Sequence, residues 1–109
     1  MKEQTFMIKL RNRKKIKHTN KILKREKIKE NYFLEYGEHK DQDYTYVSLL
    51  SGDIDYYGQN PRINKEHYFS YKKNGIWRVL SSDLTSLVKD FKNKREALNK
   101  LKELSRSLP

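Results

Sequence analysis

The dipeptide Asn74-Gly75 constrains the fold of this chain more than any other feature of its sequence. It separates two runs rich in aromatic and β-branched residues, HYFSYKK and IWRVL. Asparagine and glycine tolerate the positive φ angles of a two-residue type I′ turn, the connection typical of a β-hairpin. The predicted register pairs Lys73 with Ile76, Lys72 with Trp77 and Tyr71 with Arg78.

An amphipathic helix is predicted after this hairpin, at the C-terminal end of the sequence. Asn93 and Glu96 are three residues apart, the spacing at which an N-cap side chain and a carboxylate satisfy free backbone amides at the start of a helix. An apolar stripe at positions i, i+1, i+4, i+7 and i+11 then faces the sheet. The stripe consists of Ala97, Leu98, Leu101, Leu104 and Leu108.

The remainder of the chain predicts further strands and one segment with two interpretations. Residues 5–10, 31–36 and 43–50 favour strands, and residues 51–64 carry the glycines and proline of a long loop. An apolar stripe of Ile22, Leu23 and Ile28 predicts a helix capped by Thr19 or Asn20 and ending near Glu30. The Lys-Ile-Lys alternation in this segment also suits an added strand. We therefore expect one α+β domain over residues 1–109. Its antiparallel sheet has four to five strands, with the C-terminal helix packed on one face, and residues 1–30 form a basic arm or helix.

The charge of the chain predicts a polyanionic partner. The net charge is +11, and it divides into +9 over residues 1–30, −5 over residues 31–60 and +7 over residues 61–109. Such an excess repels itself in a compact fold and favours anionic partners, nucleic acid foremost. The sequence has no cysteine and no apolar run long enough to span a bilayer, so we expect a cytoplasmic location and no membrane partner.

Two groups of residues are candidates for nucleic-acid binding, through phosphate contacts from cations and stacking on rings. The first group is the basic run Arg11, Arg13, Lys14, Lys15, Lys17, Lys21, Lys24 and Arg25. The second group lies on the hairpin and combines rings with cations: Tyr71, Lys72, Lys73, Trp77 and Arg78. No spacing of histidines or carboxylates indicates a catalytic pair, a metal site or a cofactor, so none is predicted.

Residues 66–108 resemble the AP2-like N-terminal DNA-binding modules of phage-type tyrosine integrases. The likeness rests on Gly75-x-Trp77-x-Val79 and on the later run FKNKREA, which starts at Phe91. The resemblance implies a sheet that enters the DNA major groove, with Trp77 and Arg78 on the reading ribbon and Asn93 as the helix cap. The family usually has threonine at the position of Asn93 and glycine at the position of Asp90.

The favoured interpretation is a small, non-enzymatic nucleic-acid-binding accessory protein of the phage or mobile-element type, with DNA preferred over RNA. A second interpretation is a module or inhibitor that docks on a host protein through the tyrosine-rich acidic segment 31–60, which contains Tyr44, Tyr46, Tyr56 and Tyr57. A third is an RNase-type toxin, because histidine, glutamate, arginine and tyrosine are all present. The sequence predicts no oligomeric state.

Overall fold

The fold is an antiparallel sheet followed by a helix, seen in a computed structural model that describes residues 20–39, 44–53, 62–82 and 86–108. Within these ranges six strands form one sheet, and each strand pairs with the next along the chain. The strands are β1 (Asn20–Lys29), β2 (Tyr32–His39), β3 (Tyr44–Asp53), β4 (Arg62–Lys73), β5 (Ile76–Ser81) and β6 (Leu87–Phe91), followed by the helix α1 (Lys94–Arg106). The α+β class is confirmed, and the described part of the sheet already has six strands in place of the four to five expected.

The first strand, β1, occupies the segment for which a helix ending near Glu30 was predicted. Register shifts between Ile22 and Lys24 and between Lys27 and Lys29 interrupt the alternation of its side chains, so the apolar residues do not follow a clear period of two. Pairing with β2 stabilises this segment as a strand more than its short apolar stripe would stabilise it as a helix. The helix prediction is therefore wrong, and the alternative of an added strand is confirmed.

The hairpin of β4 and β5 has the predicted turn and the predicted register. Asn74 and Gly75 have φ angles of 55° and 78°, as a type I′ turn requires. All three predicted residue pairs at the turn, from Lys73–Ile76 to Tyr71–Arg78, are present. The local chemistry of the turn is sufficient to fix this part of the sheet.

Helix α1 also begins and packs as predicted. The Asn93 side chain accepts a hydrogen bond of 2.9 Å from the backbone amide of Glu96, which caps the first turn. Ala97 and Leu101 are fully buried, and the other apolar residues of the stripe pack around them against the sheet. The helix lies on β5, β6 and β3, so its N-terminus sits beside the hairpin.

The central strands are buried on both faces, and each face has its own core. The helix-side core contains Tyr32, Leu34, Tyr36, Val47, Leu49, Trp77, Val79, Ala97 and Leu101. The opposite face carries what we call the ring core, formed by Tyr44, Tyr46, Phe69, Tyr71 and Leu80. Successive residues of a strand point to opposite faces, so the nearly unbroken apolar run of β3 supplies both cores.

Several strand boundaries differ from those predicted. Strand β2 continues to His39, and β3 continues to Asp53, beyond the residue at which a loop was expected to begin. Strand β4 begins at Arg62, inside the same predicted loop. The predicted strand over residues 5–10 lies outside the described ranges.

Candidate nucleic-acid interface

The hairpin residues predicted to bind nucleic acid divide into buried rings and exposed cations. Trp77 is 5% exposed in the helix-side core, and Tyr71 is 4% exposed in the ring core. Arg78 donates two hydrogen bonds, of 3.0 and 3.4 Å, to the carboxylate of Asp90 on β6. Lys72 is exposed on the helix side of the sheet, opposite Trp77. The rings are therefore structural, and lysine supplies the accessible charge.

Three lysines meet at a cleft of about 350 Å³ beside the start of α1. We call it the lysine cleft, and its cations are Lys72 at the end of β4, Lys92 in the β6–α1 connection and Lys94 in the first turn of the helix. All three are exposed, and none forms an ion pair with a carboxylate that the structure describes. The floor includes Trp77 and Tyr36. Among the described residues, the cleft is therefore a concentration of positive charge without paired carboxylates.

The N-terminus of α1 adds to this positive potential. Peptide dipoles aligned along a helix place a partial positive charge at its first turn, where backbone amides also lack partners within the helix. Asn93 caps one of these amides and also lines the cleft. An anion in the lysine cleft would therefore meet both the ammonium groups and the favourable end of the helix dipole.

Tyr36 connects the lysine cleft to β1. The ammonium groups of Lys24 and Lys94 lie over its ring, 4.6 and 5.3 Å from the ring centroid. Its hydroxyl donates a hydrogen bond of 3.3 Å to Glu26 Oε2. Burial, together with the adjacent Glu26 carboxylate, raises the pKa of Tyr36 to about 12. Tyr36 therefore stays neutral and presents a π face to both cations.

Arg25, one of the predicted phosphate-binding residues, is engaged inside the sheet. Its Nε donates to Glu35 Oε1 at 3.0 Å, and the hydroxyl of Tyr46 donates to the other oxygen of the same carboxylate at 3.2 Å. A Cβ at Gly37 would lie 2.5 Å from atoms of the Tyr46 ring, so glycine lets the ring lie across the neighbouring strand. Burial and the Glu35 carboxylate raise the pKa of Tyr46. This group stabilises the fold and leaves little of Arg25 for a ligand.

Other cations of β1 are also used within the molecule. Lys29 donates hydrogen bonds to the backbone carbonyl oxygens of Ser105 and, at 2.9 Å, of Leu108, and it lies over the ring of Tyr32 at 4.6 Å. It therefore stabilises the C-terminal end of α1, where carbonyl groups lack helical partners. Lys27 pairs with Glu30 at 3.3 Å on the surface.

The predicted site residues that remain fall into two groups. Lys21 and Lys24 are exposed on β1, and Lys24 lies 3.8 Å from Glu26. Lys73 is exposed at the hairpin turn. The other predicted cations lie outside the described ranges: Arg11, Arg13, Lys14, Lys15 and Lys17.

Of the residues on which the two alternative interpretations depend, those that the structure describes are mostly in the interior. Tyr44 and Tyr46, proposed anchors for a protein partner, are each 4% exposed, and Tyr56 and Tyr57 lie outside the described ranges. His39 is buried and stacks on Tyr44.

His67 is also in contact with neighbouring residues of the sheet. It forms a 2.8 Å hydrogen bond with Ser51 and stacks obliquely on Tyr32. Burial and the nearby Lys65 lower its pKa, so it is neutral at pH 7. Neither His39 nor His67 lines the lysine cleft.

Sequence reasoning missed most residues that line the lysine cleft, including two of its lysines and its exposed leucine. Lys92 and Lys94 flank the predicted cap Asn93, but their approach to Lys72 depends on where the helix crosses the sheet. Leu23 also lines the cleft and was assigned to the core stripe of a helix. The signal that could have identified the two lysines as site residues is that they flank the helix cap, next to a basic hairpin.

No helix of the described segments is long and apolar enough to cross a membrane. Comparisons of the chain with protein-family models, curated proteins and solved structures find no match. The geometry and charge of the lysine cleft are therefore the features that indicate a function.

Proposed function

We propose that this protein binds nucleic acid through phosphate contacts, without catalysing a reaction, and that DNA is the preferred ligand. The observation that carries the proposal is the convergence of Lys72, Lys92 and Lys94 on one cleft in a chain of net charge +11. Three cations that pair with no described carboxylate raise the local potential and supply donors for phosphate oxygens. The phosphates of the backbone are the anionic groups that a nucleic acid presents to such a cluster.

The proposed binding surface differs in part from the one expected from the sequence. Trp77 and Tyr71 are buried and have little surface on which a base could stack. The hairpin therefore contributes its cations, Lys72 above all, and the affinity comes mainly from charge. The N-terminal cations Arg11 to Lys17 stay part of the proposal as a second source of phosphate contacts. The phage or mobile-element setting rests on the integrase-like residues alone, and the cytoplasmic location rests on composition.

A charge-matched pair of variants tests this assignment. The cleft variant carries Lys72→Gln, Lys92→Gln and Lys94→Gln, and the charge control carries Lys27→Gln, Lys65→Gln and Arg106→Gln at exposed positions that do not line the cleft. Arg106 lies at the other end of the 13-residue helix, about 18 Å from Lys94 at 1.5 Å per residue. Both variants lose three positive charges.

Fluorescence anisotropy with labelled DNA and RNA oligonucleotides measures the affinity. We expect the cleft variant to bind DNA about tenfold more weakly or worse, because each lost phosphate contact lowers the affinity for every sequence. The charge control should lose much less. Equal losses in the two variants would show that overall charge, and not the lysine cleft, determines binding. Thermal unfolding of both variants confirms that they are folded.

A further inference from the structure

The lysine cleft has an apolar wall that phosphate binding alone does not require. Leu23 lines the cleft and is 53% exposed to solvent. Phosphate oxygens gain nothing from an exposed leucine, whereas the face of a nucleobase gains from apolar contact. Cations and apolar surface in one cleft match a ligand that carries both an anionic group and a flat ring.

The position of Leu23 follows from an irregularity in the sheet. Ile22 lies opposite Gly37 and Lys24 lies opposite Tyr36, so Leu23 is the extra residue of a bulge in β1. A bulge redirects the side chain at the extra position and is common next to functional sites. The bulge is thus the feature that directs Leu23 to the cleft and away from the regular alternation of the strand.

The size and shape of the cleft limit the kind of nucleic acid that can enter it. A volume of about 350 Å³ is at the lower end of the range of small-molecule sites and suits one nucleotide. In a duplex the bases are stacked and paired inside, so a concave site can reach only phosphates and groove edges. In a single strand, one nucleotide can turn outwards and bring its base and its phosphate together.

We propose that the lysine cleft accepts one unpaired nucleotide of a single strand, with the phosphate on the lysines and the base against Leu23. This inference rests on the proposed nucleic-acid binding and specifies the form of the ligand. Thr45 also lines the cleft and is exposed, so its hydroxyl is available to a sugar or base edge. Selectivity for single strands follows from the apolar wall and the concave shape, whereas affinity follows from the lysines.

The test uses a short mixed-sequence DNA oligonucleotide, as a single strand and as a blunt-ended duplex, with two leucine variants. Leu23→Ser removes the apolar wall. Leu87→Ser is the matched control, because Leu87 is 55% exposed on β6 and does not line the cleft. Both side chains are exposed, so neither variant should disturb folding, which circular dichroism confirms.

We expect the wild-type protein to bind the single strand more tightly than the duplex. Leu23→Ser should weaken single-strand binding about fivefold and leave duplex binding within a factor of two, because only an unpaired base reaches the leucine. Leu87→Ser should change neither. If Leu23→Ser has no effect, or weakens both forms equally, while the cleft variant still loses affinity, the inference is wrong and the proposed function stands. If the wild-type protein binds neither form, both are wrong.

Discussion

Strand β1 and the lysine cleft are both rich in cations, but their cations have different surroundings. On β1, Arg25 is held by Glu35, Lys27 by Glu30 and Lys29 by the end of the helix. In the lysine cleft, no described carboxylate pairs with any of the three lysines. The number of positive residues in a segment therefore does not indicate how much charge is available to a ligand.

The difference changes the meaning of the charge pattern along the sequence. The positive excess of residues 1–30 and the negative excess of residues 31–60 suggest a separate basic surface. In the sheet, however, Lys21 lies opposite Glu38, and Arg25 lies opposite Glu35. Part of the segregation is thus cross-strand complementarity, which stabilises the pairing of β1 with β2. The available charge lies in the lysine cleft, whose three lysines pair with no carboxylate in the part of the chain that the structure describes.

The largest effect on stability is expected at Arg25. Arg25→Gln leaves the carboxylate of Glu35, whose side chain is 11% exposed, without its cation. We expect the free energy of unfolding in urea to fall by about 2 kcal/mol, because a largely buried charge then lacks compensation. DNA affinity should change by less than a factor of three.

Lys27→Gln is the matched control for Arg25→Gln, since the pair of Lys27 with Glu30 is exposed to solvent. Lys27→Gln should lower the free energy of unfolding by less than about 0.5 kcal/mol. Equal losses of stability in the two variants would contradict the distinction between buried and surface pairs. A large loss of DNA affinity in Arg25→Gln would place Arg25 in the binding surface.

A smaller effect is expected at Lys29. Lys29→Met keeps an apolar stem against Tyr32 but removes the donors to the carbonyl oxygens of Ser105 and Leu108. We expect a loss of about 1.5 kcal/mol, since the end of α1 loses both hydrogen bonds and a favourable charge. Lys100→Met, which breaks only a surface pair with Glu103, is the control and should cost under about 0.5 kcal/mol. Similar unfolding curves for the two variants would contradict the role of Lys29 in stabilising the end of α1.

The smallest effect, a loss of stability at alkaline pH, is expected at Tyr36, which contacts both β1 and the lysine cleft. Its pKa is about 12 in the folded protein and 10.0 without the fold, so the folded state favours the neutral phenol. The stability from this group is complete below pH 10 and is lost as the pH rises towards 12. By about pH 11 the loss should be about 1 kcal/mol.

Tyr36→Phe should reduce that alkaline loss when unfolding free energies are compared between neutral and alkaline pH. It should not abolish the loss, because the pKa of Tyr46 is raised in the same direction. An unchanged pH dependence in Tyr36→Phe would show that the phenol ionises as readily in the folded as in the unfolded state.

The parts of the fold that local chemistry determines could be predicted from the sequence. Asn74 and Gly75 fixed a turn and, through it, three residue pairs. Asn93 marked the start of α1, and the leucine stripe identified the helix face that packs on the sheet. In each case the signal lies within a few residues, and no distant contact is needed to interpret it.

The parts that depend on distant contacts could not be predicted. The sequence left the segment of β1 open between a helix and a strand, because its strand state depends on pairing with β2 and its bulge at Leu23 interrupts the alternation. The burial of Trp77 depends on the position of α1. The lysine cleft joins β4, the β6–α1 connection and the first turn of the helix, which are separated in sequence by about 20 residues. Of its three lysines, only Lys72 was a predicted site residue.

The most direct test of the central claim is the salt dependence of DNA binding by the wild-type protein, the cleft variant and the charge control. The slope of log affinity against log salt concentration counts the phosphate contacts that release counterions. We expect the slope of the cleft variant to be shallower than that of the wild-type protein by about 2 to 3, and the charge control to keep most of the wild-type slope. Parallel lines for the wild-type protein and the cleft variant would contradict the claim that the lysine cleft holds the phosphates.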